Sequence, residues 1–263
     1  MGFNCGIVGL PNVGKSTIFN AIVGTAAAAA DNYPFCTIEP NVGRVPVPEP
    51  RLDQVSRVAG SPKAVLTQLE VVDIAGLVRG ASRGEGLGNR FLGAIREVDA
   101  ILHVLRCFED GDVAHVEGRV DPVRDIELVE TELLLADLGS LERRTEGLIK
   151  RARGGDAEAK VQLALIERVL PEMQAGRPAR SLELADEERA RLGPLQLLSA
   201  KPILYVCNVD EASAAQGNDF SAAVAARAAA EGAGAVVISA AIEAEIAALP
   251  PGERLEYLHA LGL

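Results

Sequence analysis

The chain has 263 residues, 48% of them hydrophobic, which is enough to bury one large core or one core carrying an insertion. Aromatic residues make up only 3% and tryptophan is absent, so base stacking has little to work with. The formal net charge of −11 repels phosphate backbones, and direct DNA binding is not expected.

No run of about 18 apolar residues offers a membrane span. Residues 1–9 lead straight into a strand rather than a leader segment, which makes the cytoplasm the expected compartment. Cys5, Cys36, Cys107 and Cys207 form no CxxC pair and no zinc-type spacing with histidine. They read as reduced thiols packed like small apolar residues. Cys36 stands apart, beside a candidate switch threonine.

In chain order, residues 3–9 predict a buried strand and residues 15–23 a helix with Ile18, Phe19 and Ile22 on one face. Between them, residues 9–16 (GLPNVGKS) satisfy GxxxxGK[ST] in the strand-to-helix context the motif requires. Gly9 and Gly14 let the backbone curl with its N–H groups inward, and the helix start points its positive end at the phosphates. Asn12, Val13, Gly14, Lys15, Ser16 and Thr17 are therefore the expected nucleotide contacts. Lys15 is expected on the β- and γ-phosphates and Ser16 on Mg²⁺. The alanine run at 26–30 suits a loop or a helix end.

Thr37, in NYPFCTIEPNVG, lies between that helix and the next strand. Its hydroxyl can complete the metal shell and let go when the γ-phosphate leaves. Residues 69–73 (LEVVD) predict a second strand, and Asp73 at its end can hold a water on Mg²⁺. The Gly76 amide can bond the γ-phosphate. The expected metal set is Ser16, Thr37 and Asp73. Glycines 80, 84, 86 and 88 then predict a mobile loop.

Residues 100–105 predict a third strand, with His103 a satisfied core histidine. From about 121 to 199 no strand-like run occurs. Asp121-Pro122 is a good helix start. Ile126, Val129, Leu133 and Ala136 follow helical spacing, and Leu134, Leu138, Leu141 and Leu148 form a second seam. Gly154-Gly155 ends that helix, and another starts near Asp156, with Pro171 expected to kink or end it. The domain reading is an α/β sheet formed by residues 1–120 and 200–263, with a helical hairpin inserted at 121–199. Arg143, Arg144, Lys150, Arg151 and Arg153 cluster near its tip. They suit either a partner surface or a solvated face. Residues 202–208 and 235–239 predict the last two strands, giving a mostly parallel sheet covered on both faces.

After the PILYVC strand comes Asn208-Val209-Asp210-Glu211, an NxxE pattern where guanine-specific members of this class carry NKxD. Asn208 can still orient a purine. Val209 replaces the lysine stem that covers the base. Glu211 is one methylene too long for the two guanine N–H groups, which favours ATP over GTP. Asp210 is an alternative acceptor. Ser239, Ala240 and Ala241 fit the other wall of the base site.

Leu77 stands where Ras-like enzymes carry a water-orienting glutamine. The candidates to replace it are His115, Arg79, Arg83, a monovalent cation or a partner protein. Asn12 is a candidate to help hold K⁺.

Together GLPNVGKST, NYPFCTIEPNVG, DIAGLVRGAS with GEGLGN, NVDE, ISAAIEAEI and the hairpin resemble the YchF subfamily of Obg-like P-loop ATPases over essentially the whole chain. The resemblance implies a Ras-like G domain with a helical insertion, slow ATP hydrolysis used as a switch, and ribosome association. It implies that His115, in its HVxGxVDP context, assists hydrolysis. The family normally continues into a small β-rich TGS domain, whereas this sequence stops at Leu263. The rival readings are a GTPase of the same fold and a nucleotide-gated interaction module with negligible turnover.

Overall fold

The computed structural model describes residues 2–28, 38–39, 41–61, 63–74, 76, 80, 87–112 and 115–263. Seven strands form one sheet: β1 (Phe3–Val8), β2 (Ile38–Glu39), β3 (Val42–Pro46), β4 (Gln68–Asp73), β5 (Ala100–Arg106), β6 (Ile203–Asn208) and β7 (Gly234–Ile238). Their order across the sheet is β2-β3-β4-β1-β5-β6-β7. From β4 to β7 every pairing is parallel, while β2, β3 and β4 pair antiparallel.

The central strands are continuous apolar runs because helices cover both faces of a parallel sheet. Ile7, Val8, Ile101, Val104, Leu105, Tyr205, Val206 and Cys207 are all buried. The five strands expected from the sequence are present within one or two residues of the expected ends. No strand was expected between residues 9 and 69, yet residues 38–46 add β2 and β3. Strand β3 (VGRVP) is interrupted by glycine and arginine and closed by proline, so it carries no apolar run. Its alternation puts Val45 in the core, while exposed Arg44 pairs with Glu70 across the ladder at 3.0 Å.

Helices α1 (Lys15–Ala28), α2 (Leu52–Ala59) and α3 (Leu87–Glu97) join the first strands. The glycine-rich loop expected through Gly88 therefore gives way to helix at Leu87. Two long helices follow, α4 (Pro122–Arg153) and α5 (Ala157–Gln174), then α6 (Asp186–Leu192), α7 (Asp219–Ala230), α8 (Ala240–Ala248) and α9 (Arg254–Ala260).

The Asp121 carboxylate caps α4 by accepting the Arg124 N–H at 3.2 Å, with Pro122 in the first turn. Asp156 caps α5 on the Ala159 N–H at 3.0 Å, so the chain reverses over Gly154 and Gly155. Pro171 lies inside α5, which ends at Gln174.

Buried apolar residues form two clusters, and α4 contributes to both. Its inner half places Ile126, Val129, Leu133 and Ala136 in the cluster around the sheet. Leu134, Leu141 and Leu148 belong to a second cluster with Leu165, Ile166, Val169 and Met173 of α5.

Between the two lies a knot of charge. Glu130 of α4 and Glu231 after α7 share Arg180 and Arg227, and the Tyr205 hydroxyl lies 3.0 Å from Glu231 and 3.3 Å from Glu130. Asp137, also on α4, accepts the backbone N–H groups of Leu198 and Ser199 at 2.8 Å each and the Ser199 hydroxyl at 2.7 Å. No helix among the described residues is long and apolar enough to cross a membrane.

Candidate nucleotide-binding site

Residues 9–14 bridge β1 and α1 at the carboxyl edge of the sheet, where neighbouring β4 and β5 also end. This crevice is the ligand position of open α/β sheets. Close approach dictates the two motif glycines. A Cβ on Gly9 would stand 2.4 Å from the Val104 carbonyl oxygen, and one on Gly14 would stand 2.4 Å from the Asn208 amide nitrogen. Gly14 also holds φ at +97° and Asn12 at +62°, the left-handed conformations that curl the loop. Val13 is buried, while Asn12, Ser16 and Thr17 are exposed.

Lys15 is 8% exposed, and its ammonium donates to the Leu10 carbonyl at 2.6 Å. Burial pushes its pKa down, and the Asp73 carboxylate partly offsets this. The Ser16 hydroxyl donates to Asp73 Oδ2 at 2.8 Å. A Cβ on Gly76 would stand 3.1 Å from the Pro11 nitrogen and 3.2 Å from Lys15 Nζ, so Gly76 is pressed against the same loop. Residues 57 positions apart in the chain, Ser16 and Asp73, thus meet as the spacing of motifs predicted.

Asn208 ends β6 and is buried. Its amide donates to the Val13 carbonyl at 3.0 Å, and its oxygen accepts the Ala240 N–H at 2.9 Å. The side chain ties the phosphate loop to the start of α8.

Val209 is 2% exposed and part of the main core cluster, with its N–H on the Ile238 carbonyl at 2.9 Å. Asp210 caps the short 3₁₀ turn Glu211–Ser213, accepting the Ser213 N–H at 2.8 Å, and Glu211 is exposed. Ser239 and Ala240 are buried and Ala241 is exposed. The Ser239 hydroxyl has no hydrogen-bond partner among the described residues.

His115 is not gathered into this cluster. Its Nε2 lies 2.9 Å from Asp125 Oδ2, and its Nδ1 accepts the Glu117 N–H at 3.2 Å. His103 is buried as expected, but neither ring nitrogen has a hydrogen-bond partner among the described residues, so it is not the satisfied core histidine the sequence suggested. It packs against the Tyr205 ring at 5.7 Å between centroids. Burial, with Arg180 and Lys15 nearby, lowers its pKa to about 3. Thr37, Leu77, Arg79, Arg83 and Cys36 lie outside the described residues. Cys5, Cys107 and Cys207 are buried free thiols.

Sequence reasoning passed over Asp125 and Glu132. Glu132 accepts the Gly80 N–H at 2.8 Å, joining α4 to the segment after Gly76. Both acids are buried on α4. An acid on the buried stripe of an amphipathic helix signals a partner, and that signal was available.

Serine and aspartate supply two hard oxygen donors. Among the described residues no group of three or more His, Cys, Asp or Glu side chains is arranged to hold a metal ion. A donor set of one hydroxyl and one carboxylate fits Mg²⁺, which keeps waters and phosphate oxygens as its other ligands.

Residues 4–136 match the family described as 50S ribosome-binding GTPase. The whole chain is 52% identical over 263 residues to the ribosome-binding ATPase YchF of Haemophilus influenzae and 47% identical over 265 to that of Bacillus subtilis, spanning 72% of each. The solved structure of the Schizosaccharomyces pombe YchF GTPase superposes with a TM-score of 0.84 at 36% identity, covering 99% of this chain and 71% of that one. With the P-loop fold and the phosphate cradle in hand, these relatives establish that the chain belongs to the YchF family of P-loop nucleotide-binding proteins.

Proposed function

We propose that the protein is a Mg²⁺-dependent, cytoplasmic ATPase that uses slow hydrolysis as a conformational switch on the ribosome. The observation that carries the reading is the 2.8 Å contact of Ser16 with Asp73, flanked by Lys15 and Gly76. Bound Mg²⁺ would supply charge neutralisation between the β- and γ-phosphates. Ser16 and Thr37 would hold it through their hydroxyls and Asp73 through its carboxylate. Lys15 exchanges the Leu10 carbonyl for phosphate oxygens. The Gly76 N–H meets the γ-phosphate, where loss of that group is sensed. The backbone of Asn12 through Thr17 wraps the phosphates.

ATP is favoured because a guanine-reading carboxylate is wanting. Asp210 is occupied as a cap, and exposed Glu211 opens a turn. The unpartnered Ser239 hydroxyl, the Ala240–Ala241 backbone and the segment at Asn208 and Val209 form the base wall. Leu77 leaves water positioning to another group, and His115 is our assignment for it, with K⁺ near Asn12 as added charge. Ribosome association rests on the names of the relatives. Residues 121–199 form the hairpin module that the switch moves, flanked by the two parts of the G domain, 1–120 and 200–263.

A GTP reading has two observations in its favour, the match of residues 4–136 to a family described as a GTPase and the description of the S. pombe relative as a GTPase. Side-by-side titration with ADP and GDP decides. We expect tighter ADP binding that weakens when Mg²⁺ is chelated; tighter GDP binding sinks the ATP assignment.

A further inference from the structure

We propose that Asp125 is a positioning residue that stows His115 and so sets how fast the protein hydrolyses its nucleotide. The inference rests on the reading that His115 assists hydrolysis. Strands β1 and β5 are adjacent and parallel, with Val8 opposite His103. The phosphate loop and the segment after Arg106 therefore leave the same edge of the sheet. His115 lies nine residues beyond Arg106, and that much chain spans at most about 30 Å, ample reach across the edge.

The imidazole is nevertheless engaged elsewhere. Nδ1 accepts the Glu117 N–H, so the ring proton sits on Nε2 and is donated to Asp125 at 2.9 Å. The two side chains are 5% and 1% exposed. A ring with both nitrogens occupied can neither orient a water nor take a proton from one.

Asp125 is fixed to the helix start by its backbone. It sits in the first turn of α4, behind the Asp121 cap, with its N–H on the Asp121 carbonyl at 3.0 Å. Its Oδ1 is buried without a hydrogen-bond partner among the described residues, and the Arg124 guanidinium is 3.6 Å away. Burial pushes the Asp125 pKa up, and the neighbouring His115 and Arg124 pull it back. Departure of His115 therefore strands a poorly solvated carboxylate, and that penalty holds the pair closed. Beside them lies a cavity of about 370 Å³ lined by Arg106, Asp110, Gly118 and Arg119, space into which the ring can turn.

Asp125→Asn keeps the shape and an acceptor for Nε2–H but removes the charge that strengthens the bond. Single-turnover and steady-state ATP hydrolysis should rise about fivefold in kcat with KM unchanged, the gap of about 1 kcal/mol between a charged and a neutral hydrogen bond. His115→Ala should be slow, and the double variant should match it, because the gain acts only through the imidazole. A kcat that falls in Asp125→Asn, or stays level while His115→Ala is slow, overturns the stowing role. Wild-type turnover in His115→Ala sinks the underlying reading instead.

A second measurement is independent of turnover. Carbethoxylation by diethyl pyrocarbonate, followed on peptides, compares the chain's three histidines. With exposed His259 as the reference and buried His103 as the unreactive control, His115 should react faster in Asp125→Asn than in the wild type. Equal rates would also overturn the proposal.

Discussion

The two ends of α4 live in different chemistry. Its inner half packs on the sheet, whose carboxyl edge carries a polar site built around backbone that nothing may crowd: Gly9, Gly14 and Gly76 all stand within contact distance of neighbours. At its outer end, Leu141 and Leu148 meet Ile166 and Met173 in an apolar seam, and ion pairs such as Arg151 with Asp156 stay at the surface. The first region holds a lysine resting on a carbonyl, a hydroxyl resting on a carboxylate and a serine hydroxyl with no partner among the described residues. The second satisfies itself. Helix α4 joins the two regions, its inner half packed in the cluster around the sheet and its outer half packed against α5.

The comparison can be broken at either end. The largest effect is expected from Lys15→Ala, which should abolish triphosphate binding while leaving the thermal midpoint of the apo protein nearly unchanged. Isothermal titration that still reports micromolar affinity would remove Lys15 from the cradle.

Leu141→Ala should do the reverse. Its side chain is fully buried in the outer cluster, so truncation should cost about 2–5 kcal/mol in denaturant unfolding. ADP affinity should hold, and an equal loss of affinity would show that the two regions do not behave separately.

The smallest effect sharpens the boundary between them, where His103 underlies the charge knot. Its pKa in the fold is about 3 against an ordinary 6.5. Because the folded value is depressed, its neutral form stabilises fully above pH 6.5, and that stability is lost as the pH falls toward 3. At pH 5 the loss amounts to about 2 kcal/mol. His103→Leu should flatten the unfolding free energy between pH 7 and pH 5 by that amount, whatever its stability at pH 7; an unchanged pH slope would mean that His103 binds its proton as readily in the fold as in the unfolded chain.

Much of this was legible in the residues. A strand that is an unbroken apolar run, such as residues 203–208, can only be central in a covered sheet, and Asp121-Pro122 announces a helix whatever follows. The chain order of Lys15, Asp73 and Asn208 places each at the end of a strand or the start of a helix, so their convergence follows from parallel strands alone. Strand β3 escaped because its order comes from pairing with β4 rather than from its own pattern. The NxxE motif was legible in composition, but the packing partners of its side chains were not. Val209 joins the core, and Asn208 spends both ends of its amide on the protein. Local sequence does not say which partner a side chain finds.

The sequence by itself determined the architecture class, the phosphate cradle and the long helical hairpin. These depend on periodicity, on capping and on which residues can adopt a tight loop, all of which act over a few neighbouring positions. Only the tertiary structure decided that Ser16 rests on Asp73, that Ser239 is left without a partner among the described residues and that His115 lies against Asp125. Each of those contacts, made or missing, is set by how elements far apart in the chain pack, and a buried polar group takes whichever partner that packing brings within about 3 Å.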